Sequence, residues 1–217
     1  PSADQRLEWM WQLDPASVRE RHPTLVIASQ TGYGPVGPDR DTPGYDIGAF
    51  IARTGMARTN RPEQDDPVNL KGGIGDHMTG ITTCMAVLAA LMGRERTGEG
   101  QLVETSLFQT GLYAMSVDLA TQMTFGRLAR MRPRTELSTP LVNCYKTSDD
   151  KWFYLIGVEA ARHLPSVGAA IGWPDITDDE RFSSAPKMME NKVELIRLLD
   201  EAFATQDLAY WAQKFEE

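Results

Sequence analysis

With 217 residues, 41% of them hydrophobic and 24% charged, the chain is long enough to enclose one substantial core, or a core with a smaller companion. A formal net charge of -8 and a pI near 5.0 argue against nucleic acid or an acidic membrane surface as a general partner. The longest apolar stretch, around Met85 to Met92, is shorter than a bilayer span and has Arg94 and Arg96 close behind it, so no membrane segment is expected.

In chain order, Ser2 with Gln5 makes a capping-box pattern ahead of Leu7, Trp9, Met10 and Leu13, predicting a first helix that ends before Pro15. Asp14-Pro15 supplies an N-cap and an N1 proline for a short second helix ending near His22. Leu25 to Ser29 reads as a buried strand. It feeds GYGPVG, residues 32 to 37, a pattern that in a dinucleotide site must open directly into a helix. Pro35, Pro38 and Pro43 interrupt the place where that helix would start, each removing an amide donor, so the segment reads as an irregular loop. Tyr45 to Thr54 can be helical, whereas Gly55 to Gly75, with Pro62, Pro67 and Gly72-Gly73-Ile74-Gly75, is mostly irregular.

Asp76 to Arg96 is apolar over most of its circumference, predicting a helix inside the core. Thr97-Gly-Glu-Gly100 breaks it, Gln101 to Leu107 alternates like a strand, and Phe108 to Arg127 is another largely apolar helix. From Leu141, VNCYKTSDDKWFYLIGV predicts two strands joined by a Ser-Asp-Asp-Lys turn. Helices are predicted over Ala160 to Ile171, Asn191 to Ala204 and Leu208 to Phe215. The pattern break at 128–140 separates a helix-rich segment, 1–127, from a small α/β part, 141–204, with 205–217 beyond it.

Cys84 and Cys144 lie far apart with no C-x-x-C spacing, predicting two buried thiols in a reducing, cytoplasmic setting. His22, His77 and His163 share no ligand spacing, so no metal is expected. The chain begins Pro1-Ser-Ala-Asp-Gln-Arg6, with no initiator methionine or signal-peptide pattern, as an internal piece of a longer protein would.

The candidate site is Gly72-Gly-Ile-Gly-Asp-His-Met-Thr-Gly80. Glycines allow backbone amides to approach a ligand closely, and Asp76 sits where the core helix begins, in the favourable field of its N-terminus. Such a carboxylate can attack an activated carbonyl while nearby amides stabilise the oxyanion. It can equally be an N-cap that only satisfies helix amides. His77 is adjacent in sequence and does not face Asp76 on a helix.

Taken together, GYGPVGP, PGYDIGAF, GDHMTG and LAALMGRERTGEGQLVETSL resemble, in this order, the family III coenzyme A transferases. STPLVNCYKTSDDKWFYLIG and GWPDITDDERF are similar to that family's second domain. The resemblance implies an α/β fold, with part of a Rossmann-like large domain and a small α/β domain, in an interlocked homodimer. It implies transfer of coenzyme A from an acyl-CoA to a carboxylic acid, with Asp76 forming first an anhydride and then an aspartyl-CoA thioester. GYGPVGP then matches the family's own loop. Arg6 matches an arginine that contacts coenzyme A, and Tyr45, Phe50, Gly72, Gly73 and Gly75 are candidates for the acyl pocket. Asp46, in GYD, is read as a cap of the helix that follows the loop.

Gly48 stands near a family lysine that touches coenzyme A. A glycine-rich flap between 128 and 140 is missing. Alpha-methylacyl-CoA racemases share much of the pattern but use a histidine where Tyr45 stands here; an ordinary phenol, with pKa of about 10, is a poor base near neutral pH. A non-catalytic helical module, in which Asp76 only caps, is the remaining alternative.

Overall fold

The computed structural model describes residues 10–62, 65–67, 70–128 and 131–216, and the chain divides into two compact units, Pro1–Met131 and Arg132–Glu217. Residues 1–9, which include Arg6 and most of the helix expected from Ser2 onward, lie outside the described residues.

In the first unit, helix α1, Pro15–Arg21, starts where Asp14 and Pro15 predict: the Asp14 side chain accepts the Ser17 N–H at 2.9 Å. Strand β1 runs Ile27–Thr31, two residues later than its apolar run suggests. After the glycine-proline loop comes a wide π-helical segment, Asp46–Ala52, and then a single short turn, α2, Met56–Thr59. The long helix α3, Ile74–Thr97, leads through a left-handed Gly98 to strand β2, Leu102–Ser106. β2 pairs parallel to β1 in register from Ile27 opposite Leu102 to Thr31 opposite Ser106. This is a parallel pair joined by a long crossover that contains a helix. The predicted helix Phe108 to Arg127 is two helices, α4, Leu107–Ala114, and α5, Ser116–Phe125, separated at Met115.

The core of this unit is Ala49, Phe50, Ile51, Met56, Leu107 and Met115. α3 packs on β2, α4 and the π-helical segment. It is not the enclosed helix its sequence suggests, because only 17% of its most apolar stretch is buried. Ile81, Met85, Leu88 and Met92 are exposed, and so is Cys84, which was expected to be buried. Beginning at Ile74, α3 is the one helix among the described residues long and apolar enough to cross a membrane; core helices of water-soluble proteins pass the same test.

The second unit is built on the predicted hairpin, β3, Val142–Lys146, antiparallel to β4, Trp152–Ile156. Four helices follow: α6, Ala160–Ala170; α7, Ala185–Glu190; α8, Lys192–Phe203; and α9, Leu208–Glu216. α7 has no counterpart in the predicted elements, although Ser184 caps it and a proline occupies its first turn. Tyr145, Phe153, Phe203 and Trp211 meet in the core, with the Phe203 ring 5.0 Å from Tyr145 and 4.9 Å from Phe153. Arg134 closes one edge with two 2.8 Å hydrogen bonds to the Asp200 carboxylate.

Candidate active site

The loop after β1 is fastened at its base. Gly34 N–H donates to Thr31 Oγ1 at 2.9 Å, and Phe108 N–H donates to the Gly32 carbonyl at 2.9 Å. Gly32 and Gly44 lie backbone against backbone, so closely that a Cβ on either would overlap the other. Gly32, the first glycine of GYGPVGP, therefore serves a loop closure. The closure delivers Pro43-Gly44-Tyr45-Asp46 to the start of the π-helical segment.

Asp46 is buried, and its carboxylate leaves its own segment. Oδ1 accepts the Gly75 N–H at 2.9 Å and Oδ2 accepts the Gly73 N–H. Asp46 thus caps α3 from 27 and 29 residues away and does not cap the helix that follows it, as its position in GYD suggests. The reason is local chemistry. α3 is preceded by Gly72 and Gly73, Gly73 lies at φ 89°, and neither offers a side chain to the first amides. A helix that starts on bare glycines needs an acceptor from elsewhere, and that was the signal available in the sequence for Asp46.

Asp76 is in the first turn of α3, three residues beyond the Gly73 cap, so it is not the N-cap of this helix. Its side chain is exposed, and among the described residues no hydrogen bond or ion pair engages the carboxylate. His77 donates its backbone N–H to the Gly73 carbonyl at 2.9 Å.

The other candidate residues separate. Gly72, Gly73 and Gly75 are brought to Asp76, and Gly75 is buried against Asp46 and Phe50, whose atoms a Cβ there would overlap. Phe50 is 0% exposed and belongs to the core. Tyr45 is 78% exposed, with extended backbone at the start of the π-helical segment. Among the described residues no group of three or more His, Cys, Asp or Glu could hold a metal ion.

Residues 5–217 match the model of CoA-transferase family III. The (R)-2-hydroxy-4-methylpentanoate CoA-transferase of Clostridioides difficile is 30% identical over 203 residues, covering 92% of this chain and 50% of that protein. The cinnamoyl-CoA:phenyllactate CoA-transferase of Clostridium sporogenes is 29% identical over 207 residues, covering 94% of this chain and 50% of that protein. Among solved structures, Rv3272 of Mycobacterium tuberculosis superimposes with a TM-score of 0.78 at 25% identity, over 97% of this chain and 55% of that one. A CaiB/BaiF family protein of Brucella suis gives a TM-score of 0.79 at 23% identity, over 95% of this chain and 55% of that one, a likeness of fold. The chain spans about half the length of the curated relatives it matches.

Proposed function

Because this chain belongs to CoA-transferase family III, we propose that the protein moves coenzyme A from an acyl-CoA to a carboxylic acid through a covalent intermediate on Asp76. The observation that carries this reading is the Asp76 carboxylate, exposed in the first turn of α3 while Asp46 does the capping. A capping aspartate has its oxygens occupied by amides; this one has neither oxygen engaged among the described residues.

The steps balance without an added reagent. An Asp76 oxygen attacks the thioester carbonyl, forming a C–O bond as the C–S bond breaks, and coenzyme A leaves as its thiolate. The thiolate attacks the Asp76 carbonyl of the anhydride, giving aspartyl-CoA and releasing the donor acid. The acceptor carboxylate attacks that thioester, the thiolate leaves again, and it finally attacks the acceptor's acyl carbon, restoring Asp76. In this reading amides at the start of α3 that Asp46 does not take stabilise the oxyanions. In this reading Arg6 contacts coenzyme A, the exposed Tyr45 borders the acyl site, and the protein works as a homodimer.

The test is acyl exchange by the full-length protein with several acyl-CoA donors. The acceptor acids should include branched-chain and aryl 2-hydroxy acids, the classes named in the two CoA-transferases above. We expect a new acyl-CoA by mass and a fall of at least about 10³-fold in Asp76→Ala. Exchange at the wild-type rate in that variant would overturn the assignment.

A further inference from the structure

We propose that Asp46 is a positioning residue for Asp76, holding the first turn of α3 against the core so that the nucleophile presents a fixed, unbonded carboxylate. The inference rests on the reading of Asp76 above. Its basis is the asymmetry between the two carboxylates. Asp46 is 7% exposed with both oxygens engaged by backbone amides; Asp76 is exposed with neither oxygen engaged among the described residues.

The two residues just ahead of α3 offer no side chain to hold its first turn, and Leu70, farther back, packs on the core beyond that pair of glycines. Gly72 and Gly73 precede it, Gly73 is in the left-handed region at φ 89°, and open space surrounds the position a Cβ would take at Gly72. Two glycines make a hinge, and a hinge three residues from a nucleophile spreads its position unless something pins it.

Asp46 supplies the pin. Its oxygens take the amides of Gly73 and Gly75, the two ends of the Gly-Ile-Gly turn. The missing Cβ at Gly75 lets the carboxylate and the Phe50 ring press directly on the backbone.

The anchor is itself packed into the core. The Ala49 N–H donates to the Tyr45 carbonyl at 2.7 Å, Ala49 and Phe50 are 0% exposed, and Gly111 of α4 sits close against the Phe50 carbonyl. By taking the Gly73 and Gly75 amides, Asp46 also removes two donors onto which Asp76 could fold back.

The experiment compares wild type, Asp46→Asn and Asp46→Glu in the full-length protein. Asparagine keeps one acceptor oxygen and sets an NH2 group against the other amide; glutamate keeps the carboxylate. For Asp46→Asn we expect kcat to fall about 10- to 100-fold with KM for acyl-CoA within about two-fold, the signature of a misplaced reacting group. Deuterium uptake should rise in the peptide spanning Gly72 to His77 and stay unchanged in the C-terminal unit. Asp46→Glu should recover part of kcat. A lower Tm with unchanged kcat per folded molecule would reduce Asp46 to a structural cap and overturn the proposal, as would unchanged uptake at Gly72 to His77. The mass of a coenzyme A adduct on the Asp76 peptide, followed in parallel, keeps the two readings apart. Its absence in wild type sinks the assignment of Asp76, while the uptake comparison still decides whether Asp46 holds the turn.

Discussion

The two units bury their apolar residues in contrasting ways. In Arg132–Glu217, Phe203 is wholly buried among Tyr145, Phe153 and Trp211, and the exposed face of α8 carries charged residues such as Arg197 and Glu201. In Pro1–Met131, α3 leaves Met85 66% and Met92 69% exposed, and the sheet among the described residues is a single parallel pair. Parallel strands ordinarily sit inside larger sheets covered on both faces. The C-terminal unit therefore draws its stability from its own side chains. Among the described residues the outer face of α3 is an uncovered apolar surface, and we expect polypeptide beyond this unit to cover it.

The largest effect expected from that contrast is at Phe203. Phe203→Ala removes a ring with aromatic neighbours on several sides and should cost about 3–5 kcal/mol. Urea unfolding followed by tryptophan fluorescence measures it, since Trp211 packs on that ring at 5.0 Å. A cost below about 1 kcal/mol would mean that this core is loosely packed.

Leu88 sharpens the other side of the comparison. It is 55% exposed, so Leu88→Gln in the 217-residue chain should change stability by no more than about 0.5 kcal/mol. In the full-length protein the same substitution should cost about 2 kcal/mol or more, the scale of losing a buried apolar side chain. Equal, small costs in both would mean that the face is open to solvent and needs no cover.

The same contrast explains what could be read from the sequence. The hairpin, α1 with its Asp14 cap, and α6, α8 and α9 were legible because each is specified by neighbouring residues: alternation, a cap, a helical period. The exposure of α3 was not, because an apolar circumference reads as a core helix whether or not the described residues cover it. Splitting 108–127 at Met115 escaped for a related reason, since no glycine or proline marks the break and only the approach of Gly111 to Phe50 and Thr54 shows why α4 sits apart.

At the site, GDHMTG drew attention to Asp76 through its glycines and its place at a helix start. The partner that caps this helix, Asp46, lies 27 residues from Gly73, and spacing rules describe neighbours on one element. Its only trace was the missing local cap. A helix starting on Gly72-Gly73, together with an acid just ahead of a buried apolar run, was the available clue.

The smallest predicted effect concerns how α9 is fastened to the hairpin. Asp149 accepts the Thr147 hydroxyl at 2.6 Å, pairs with the Lys151 ammonium at 2.9 Å, and accepts the Leu208 N–H at 3.2 Å. The Thr147 hydrogen bond first, then Lys151, lowers its carboxyl from the ordinary 3.8 to about 2. A carboxyl whose folded pKa lies below its unfolded one contributes stability above the unfolded value and loses it as the pH falls toward the folded value. The contribution should therefore be complete above about pH 4, fade between about 4 and 2, and be gone below. The carboxylate is near the surface, where solvent and salt weaken such pairs, so the effect should be small beside that of Phe203. The urea midpoint of Asp149→Asn should lie below that of wild type at pH 5 and converge with it by pH 2. An equal gap at both pH values would show that α9 is held by its apolar contacts alone, with Trp211 in the core as its anchor, and that the charge at the turn is incidental.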